Sequence, residues 1–105
     1  MEKQTAGREI LGEFAPTFAS LNDDVLFGQV WSREDALAPK LRSIVTVSAL
    51  ISSGSLEQLD HHLNLAKKNG VTQEEISEII THLAFYVGWP KVWSAFNRAK
   101  EIWKN

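Results

Sequence analysis

The run SLEQLDHHLNLAKKNGVT, Ser55–Thr72, decides how the rest of the chain is read. Leu56, Leu59, Leu63 and Ala66 recur at helical spacing and fall within an arc of about 80°, the width of a core-facing stripe. Asn69-Gly70 closes the helix. Two histidines stand side by side in its middle, and adjacent helical residues point about 100° apart, so His61 and His62 meet different surroundings. His62 lies about 40° from Ala66, at the edge of the apolar stripe, whereas His61 falls on the far side with Gln58 and Lys68. A histidine at such an edge suits a general acid or base, because its ordinary pKa is near neutrality; it equally suits a hydrogen-bonded member of the core.

Downstream, GVTQEE opens the next helix. Thr72 is a natural N-cap, Glu75 three residues later completes a capping box, and Glu74 favours the positive end of the helix dipole. Ile76, Ile79, Ile80, Leu83 and Val87 line one face of that helix and Phe85 points to the opposite one. Apolar residues on both faces predict a helix sandwiched in the core or between subunits. Gly88 stops it and Pro90 begins another, whose stripe is Val92, Phe96, Ala99 and Trp103, flanked by Trp93 and Ile102.

Upstream, KLRSIVTVSALISS, residues 40–53, is nearly continuous in apolar residues. Its IVTV core has strand propensity, but its length favours a helix buried on most sides. GREILGEF and APTFASLNDDVLFGQVWSRE read as one or two shorter helices. The expected architecture is one all-α domain over residues 1–105, with five or six helices and short connections. Helices this apolar in so small a bundle argue for oligomerisation.

Composition narrows the function. The 105 residues carry a net charge of −2 with 23% charged residues, which offers no basic patch for nucleic acid or an anionic membrane surface. Cysteine is absent, so disulfides, thiolate metal sites and thiol redox chemistry by this chain alone are excluded. No apolar run approaches the ~18 residues of a membrane span, and MEKQTAGREI does not read as a signal peptide, so a cytoplasmic location is expected. Four tryptophans, Trp31, Trp89, Trp93 and Trp103, suggest a protein–protein surface or an aromatic-lined pocket as readily as core filling.

Further candidate groups surround His62. His82 stands at the edge of its own helix, and a metal site joining it to His62 and a carboxylate is conceivable, but nothing resembles HExxH or a facial triad, and no metal is expected. Arg33 and Arg42 bracket EDALAPKL, and either could clamp a carboxylate bidentately or pair with Glu34 or Asp35. Tyr86 and Trp89 flank Gly88 as an aromatic corner that could line a pocket or simply pack. No Ser-His-Asp order, phosphate loop or dinucleotide glycine motif is present.

Taken together, LEQLDHHLNLAKKNGVTQEEISEIITHLAFYVGWPKVWSAF and the preceding DVLFGQVWSREDALAPKLRSIVTVSALI resemble the carboxymuconolactone decarboxylase family, of alkylhydroperoxidase-like fold. The resemblance implies an all-α subunit assembled into a ring, commonly a hexamer with a trimer as the alternative, and active sites near subunit contacts. In the family's thiol branch, two cysteines stand seven and four residues before a histidine matching His62, with a glutamate upstream. Here those positions read Ser55, Gln58 and Ser43. A serine hydroxyl cannot undergo a thiolate's reversible two-electron oxidation, so peroxide reduction by that route is excluded. The cysteine-free branch resembles the decarboxylase of 4-carboxymuconolactone in aromatic-compound catabolism. That resemblance implies cofactor-free chemistry on a small carboxylated lactone: Arg33 or Arg42 would orient the substrate and His62 would reprotonate carbon. Trp31, Tyr86 and Trp89 would form a dry wall, with His82 a second donor. The alternatives are a non-catalytic, ligand-binding or stress-associated oligomer and a peroxidase-related antioxidant protein whose thiols come from a partner.

Overall fold

The computed structural model describes residues 2–104. Among them the chain is all-α, with six α-helices, one π-helix and no strand. It divides into two compact units, Met1–Ala38 and Pro39–Asn105.

The first unit holds α1 (Ala6–Leu11), α2 (Pro16–Ser20) and a π-helix, Leu21–Val30, that continues α2 without a break. Pro16 starts α2 where a missing N–H costs nothing. The π-helix ends with the Trp31 N–H reaching the Leu26 carbonyl, five residues back, at 3.0 Å. Its buried Asp23 caps α1, accepting hydrogen bonds from the Gly7 and Arg8 N–H groups at 2.9 Å each and from Asn22 Nδ2 at 3.0 Å. Burial pushes this carboxyl up, but the hydrogen bonds from Asn22, Arg8 and Gly7 outweigh it and hold Asp23 below the usual range. Buried Trp31 stacks on Phe27, with ring centroids 6.0 Å apart.

The second unit is a four-helix arrangement of α3 (Pro39–Ser53), α4 (Leu56–Lys68), α5 (Gln73–Val87) and α6 (Trp89–Ile102). Its core is built from one stripe per helix: Val47 and Ile51 of α3; Leu59, Leu63 and Ala66 of α4; Ile76, Ile80 and Ala84 of α5; Val92, Ala95 and Ala99 of α6. Buried Trp103 closes one end, its indole N–H donating to the Val71 carbonyl at 2.9 Å. The strand-like IVTV segment is helical because Ser43, Val47 and Ile51, four residues apart, form the buried line of α3. Contrary to the expectation of a helix buried on most sides, α3 is buried along that line only, and Leu41 and Val45 are exposed.

Two glycines turn the chain sharply between these helices. After α3, the Ser55 N–H reaches the Leu50 carbonyl at 2.9 Å and the Gly54 N–H reaches Ile51 at 3.1 Å; after α4, Val71 reaches Ala66 at 3.0 Å and Gly70 reaches Lys67 at 3.1 Å. This double closure needs a left-handed residue, and Gly54 (φ 73°) and Gly70 (φ 99°) supply it. The predicted capping box is present: Glu75 N–H donates to Thr72 Oγ1 at 3.1 Å and Thr72 N–H to Glu75 Oε1 at 2.9 Å. Lys40 binds the other Glu75 oxygen at 2.9 Å, joining the starts of α3 and α5. The hydrogen bond from Lys40, then that from the Thr72 backbone, holds Glu75 below the usual carboxylate range.

Leu63 is fully buried, so Leu63→Ala should destabilise the protein by about 2–5 kcal/mol, whereas Leu41→Ala, at an exposed position, should change it by less than about 0.5 kcal/mol. Urea unfolding midpoints at fixed protein concentration check both.

Candidate functional site

The stripe of α4 fixes where its two imidazoles go. With Leu59, Leu63 and Ala66 buried, His62 is half-buried and His61 exposed, as the helical spacing predicts. The two rings nevertheless touch edge to face, with centroids 5.0 Å apart and planes at 83°. Side-chain reach closes the angle that the backbone opens. His62 Nδ1 is shut off from solvent. Burial, and after it the neighbouring His61 ring, push the His62 imidazole down to about 4. At neutral pH His62 is therefore an uncharged imidazole, able to donate through one nitrogen and accept through the other.

Arg42 lies on α3, which packs against α4, and its Nε is likewise shielded from solvent. One turn into the same helix, fully buried Ser43 accepts a hydrogen bond from Asn69 Nδ2 at 3.0 Å. Asn69 thus ties the end of α4 to the start of α3. The sequence reading took Asn69 only as a helix stop; its bond to Ser43 links residues 26 apart, which periodicity cannot reveal.

His82 is exposed on α5, and its ring lies against Tyr86 with centroids 4.9 Å apart. It borders a groove of about 530 Å³ between α3 and α5, lined by Ile44, Ser48, Glu75, Glu78, Ile79, His82 and Leu83. Ser48 and Glu78 were not anticipated; they stand one helical turn from Ile44 and His82 respectively. His62 does not line this groove. Tyr86 and Trp89 are exposed, and Trp89 meets Phe85 edge to face at 5.9 Å. The second unit thus carries Arg42, His62, His82, Tyr86 and Trp89, and the first carries Trp31 and Arg33. Trp31 is buried and Arg33 exposed, the latter in a shallow loop hollow of about 290 Å³ with Ser32, Glu34, Asp35 and Ala36. Among the described residues no cluster of three or more His, Asp or Glu could hold a metal ion, and no helix is long and apolar enough to cross a membrane.

Comparison with known proteins sets this helical, cysteine-free chain in a class. The model of the carboxymuconolactone decarboxylase family matches residues 16–101, and the chain belongs to that family. It is 35% identical over 97 residues to 4-carboxymuconolactone decarboxylase of Acinetobacter baylyi, covering 92% of this chain and 72% of that protein. It is 34% identical over 84 residues to nitrosuccinic acid decarboxylase npaB of Metarhizium robertsii, covering 80% of this chain and half of that protein.

The low His62 pKa has a consequence for stability. In the unfolded chain this imidazole protonates near 6.5 and in the folded one near 4, so the unfolded state binds more protons between those values. The contribution is fully present above about 6.5 and is lost as pH falls toward 4. Urea midpoints of wild type should therefore fall more steeply across that window than those of His62→Gln.

Proposed function

We propose that this protein is a decarboxylase of a small carboxylated substrate, and specifically that it acts on a carboxylated lactone or a chemically equivalent dicarboxylate without a cofactor. Family membership and two relatives named as decarboxylases support the reaction class. The observation that carries the mechanism is the desolvated, half-buried imidazole of His62.

The two relatives' named substrates share a chemical property. In 4-carboxymuconolactone an unsaturated lactone can accept the electron pair left by departing CO2, and in nitrosuccinic acid a nitro group can. A substrate with its own electron sink leaves the protein three tasks: to orient an anion, to strip water from the departing carboxylate, and to return a proton to carbon. In this reading Arg42, on the helix packed against that of His62, holds a carboxylate. The bound carboxylate raises the His62 pKa by direct charge attraction, and His62 takes up a proton as substrate binds. The C–C bond to the carboxylate then breaks, CO2 leaves, the electron pair enters the sink, and imidazolium delivers its proton to carbon. The proton delivered is the one His62 took from solvent on binding, so the imidazole ends neutral and one proton is consumed per turnover.

Incubation with 4-carboxymuconolactone and, in parallel, nitrosuccinate tests the proposal through loss of lactone absorbance and release of CO2. His62→Gln should lower kcat by about 10² or more. Because the free enzyme's His62 titrates near 4, kcat/KM should decline above that value, and kcat should hold to higher pH because bound anion raises the pKa. Turnover of neither substrate, or a fully active His62→Gln, sinks the reading.

We further propose that the working form is a homo-oligomer, a hexamer in the first instance. The support is apolar exposure on the second unit: Phe85 is 77%, Trp93 63% and Val45 61% exposed in the single chain. Large aromatic and aliphatic side chains exposed to this degree are typical material of subunit contacts. Sedimentation velocity should give a hexamer for wild type and smaller species for a Val45→Glu/Trp93→Glu double variant with unchanged helicity. A monomeric wild type contradicts the assembly.

A further inference from the structure

A second groove lies in the same unit, between the first turns of α5 and the last turns of α6, with a volume of about 340 Å³. Its floor is apolar: Ile76 from α5, and Phe96, Ala99 and Trp103 from α6 and its cap. Its polar lining is Gln73, Ser77, Lys100 and Lys104. The set contains two ammonium groups and no carboxylate, in contrast to the α3–α5 groove, which is lined by Glu75 and Glu78. None of the residues assigned to the decarboxylation lines it.

We propose that the α5–α6 groove binds a small amphipathic anion, an apolar ring or short chain ending in one carboxylate. Three features argue for this occupant. An apolar floor with a few convergent polar groups, at the low end of ligand-site volumes, matches the composition of small-molecule pockets. The capping box and Glu74 already answer the positive end of α5, so the charge of the groove comes from its two lysines. The opposing negative end of α6 is already met from outside the groove: Lys67 Nζ donates to the Ile102 carbonyl at 2.8 Å. Lys104 is paired with Glu101 at 3.1 Å, both side chains well exposed, and such a pair yields readily to a ligand carboxylate. The Trp103 ring is pinned by its bond to Val71, so the floor is preformed and binding orders little.

The test is an amide-resolved NMR titration of the 15N-labelled full chain with 4-phenylbutyrate. Saturable shifts are expected at Gln73, Ser77 and Lys100 and at the Trp103 indole N–H. The uncharged 4-phenylbutanamide should bind at least about tenfold more weakly, as should the acid to a Lys100→Glu/Lys104→Glu variant. His62→Ala should bind 4-phenylbutyrate as wild type does, which separates this site from the proposed catalytic one whether or not that chain turns over. The inference fails if 4-phenylbutyrate gives no saturable shifts at these residues. It fails equally if the amide binds as tightly as the acid, or if the charge-reversed variant, folded by circular dichroism, keeps wild-type affinity.

Discussion

The burial of Leu59 and Leu63 is the constraint on which the rest of the second unit turns. Each is fully enclosed, and truncating such a side chain typically costs about 2–5 kcal/mol, a large share of a small protein's net stability of about 5–15 kcal/mol. Rotating α4 by one residue would bring both leucines toward water. No preference of an imidazole for solvent competes with that, so the hydrophobic stripe dictates that His62 is desolvated and His61 is not. The two sharp glycine turns at Gly54 and Gly70 then fix the ends of α4 without spending side chains on them. The Asn69–Ser43 bond sets its axial position against α3.

Desolvation has a price, and its sign bears on function. A histidine kept uncharged by burial cannot hold a spare proton at neutral pH. The same burial strengthens its attraction to any anion brought beside it, because charge interactions grow as water is excluded. An anion placed beside such an imidazole favours its protonated form. The contact with His61, 5.0 Å away, also holds the His62 pKa down, as the second cause after burial.

Much of the fold was legible because it rests on short-range rules. The α4 stripe, the Thr72–Glu75 capping box and the breaks at Gly70 and Gly88 are set by residues within a few positions of each other, and all appear where the spacing puts them. The inward turn of His62 followed from the same periodicity. The π-helix did not, because Leu21–Val30 carries no pattern that distinguishes a five-residue repeat from a four-residue one, and its buried Asp23 is explained only by the distant N–H groups of Gly7 and Arg8. The exposure of Leu41 and Val45 was missed for a different reason. Apolar composition says that a helix has a face to bury, not that every apolar residue on it is buried.

One small unit carries two dissimilar grooves. Helix α5 borders both, and its amphipathicity is not a simple inside–outside division. Ile76 and Ile80 face the core, while Ile79 and Leu83 lie toward α3 with His82 and Glu78 beside them, and Gln73 and Ser77 lie toward α6. Glu75 and Glu78 thus fall on the α3 side, where Lys40 ties down Glu75. On the α6 side α5 lines the groove with neutral Gln73 and Ser77, and the charge comes from Lys100 and Lys104. A single helix with apolar residues on more than one face therefore separates an acidic groove from a basic one, and chemical selectivity between the two follows from its rotation about the Ile76–Ile80 line.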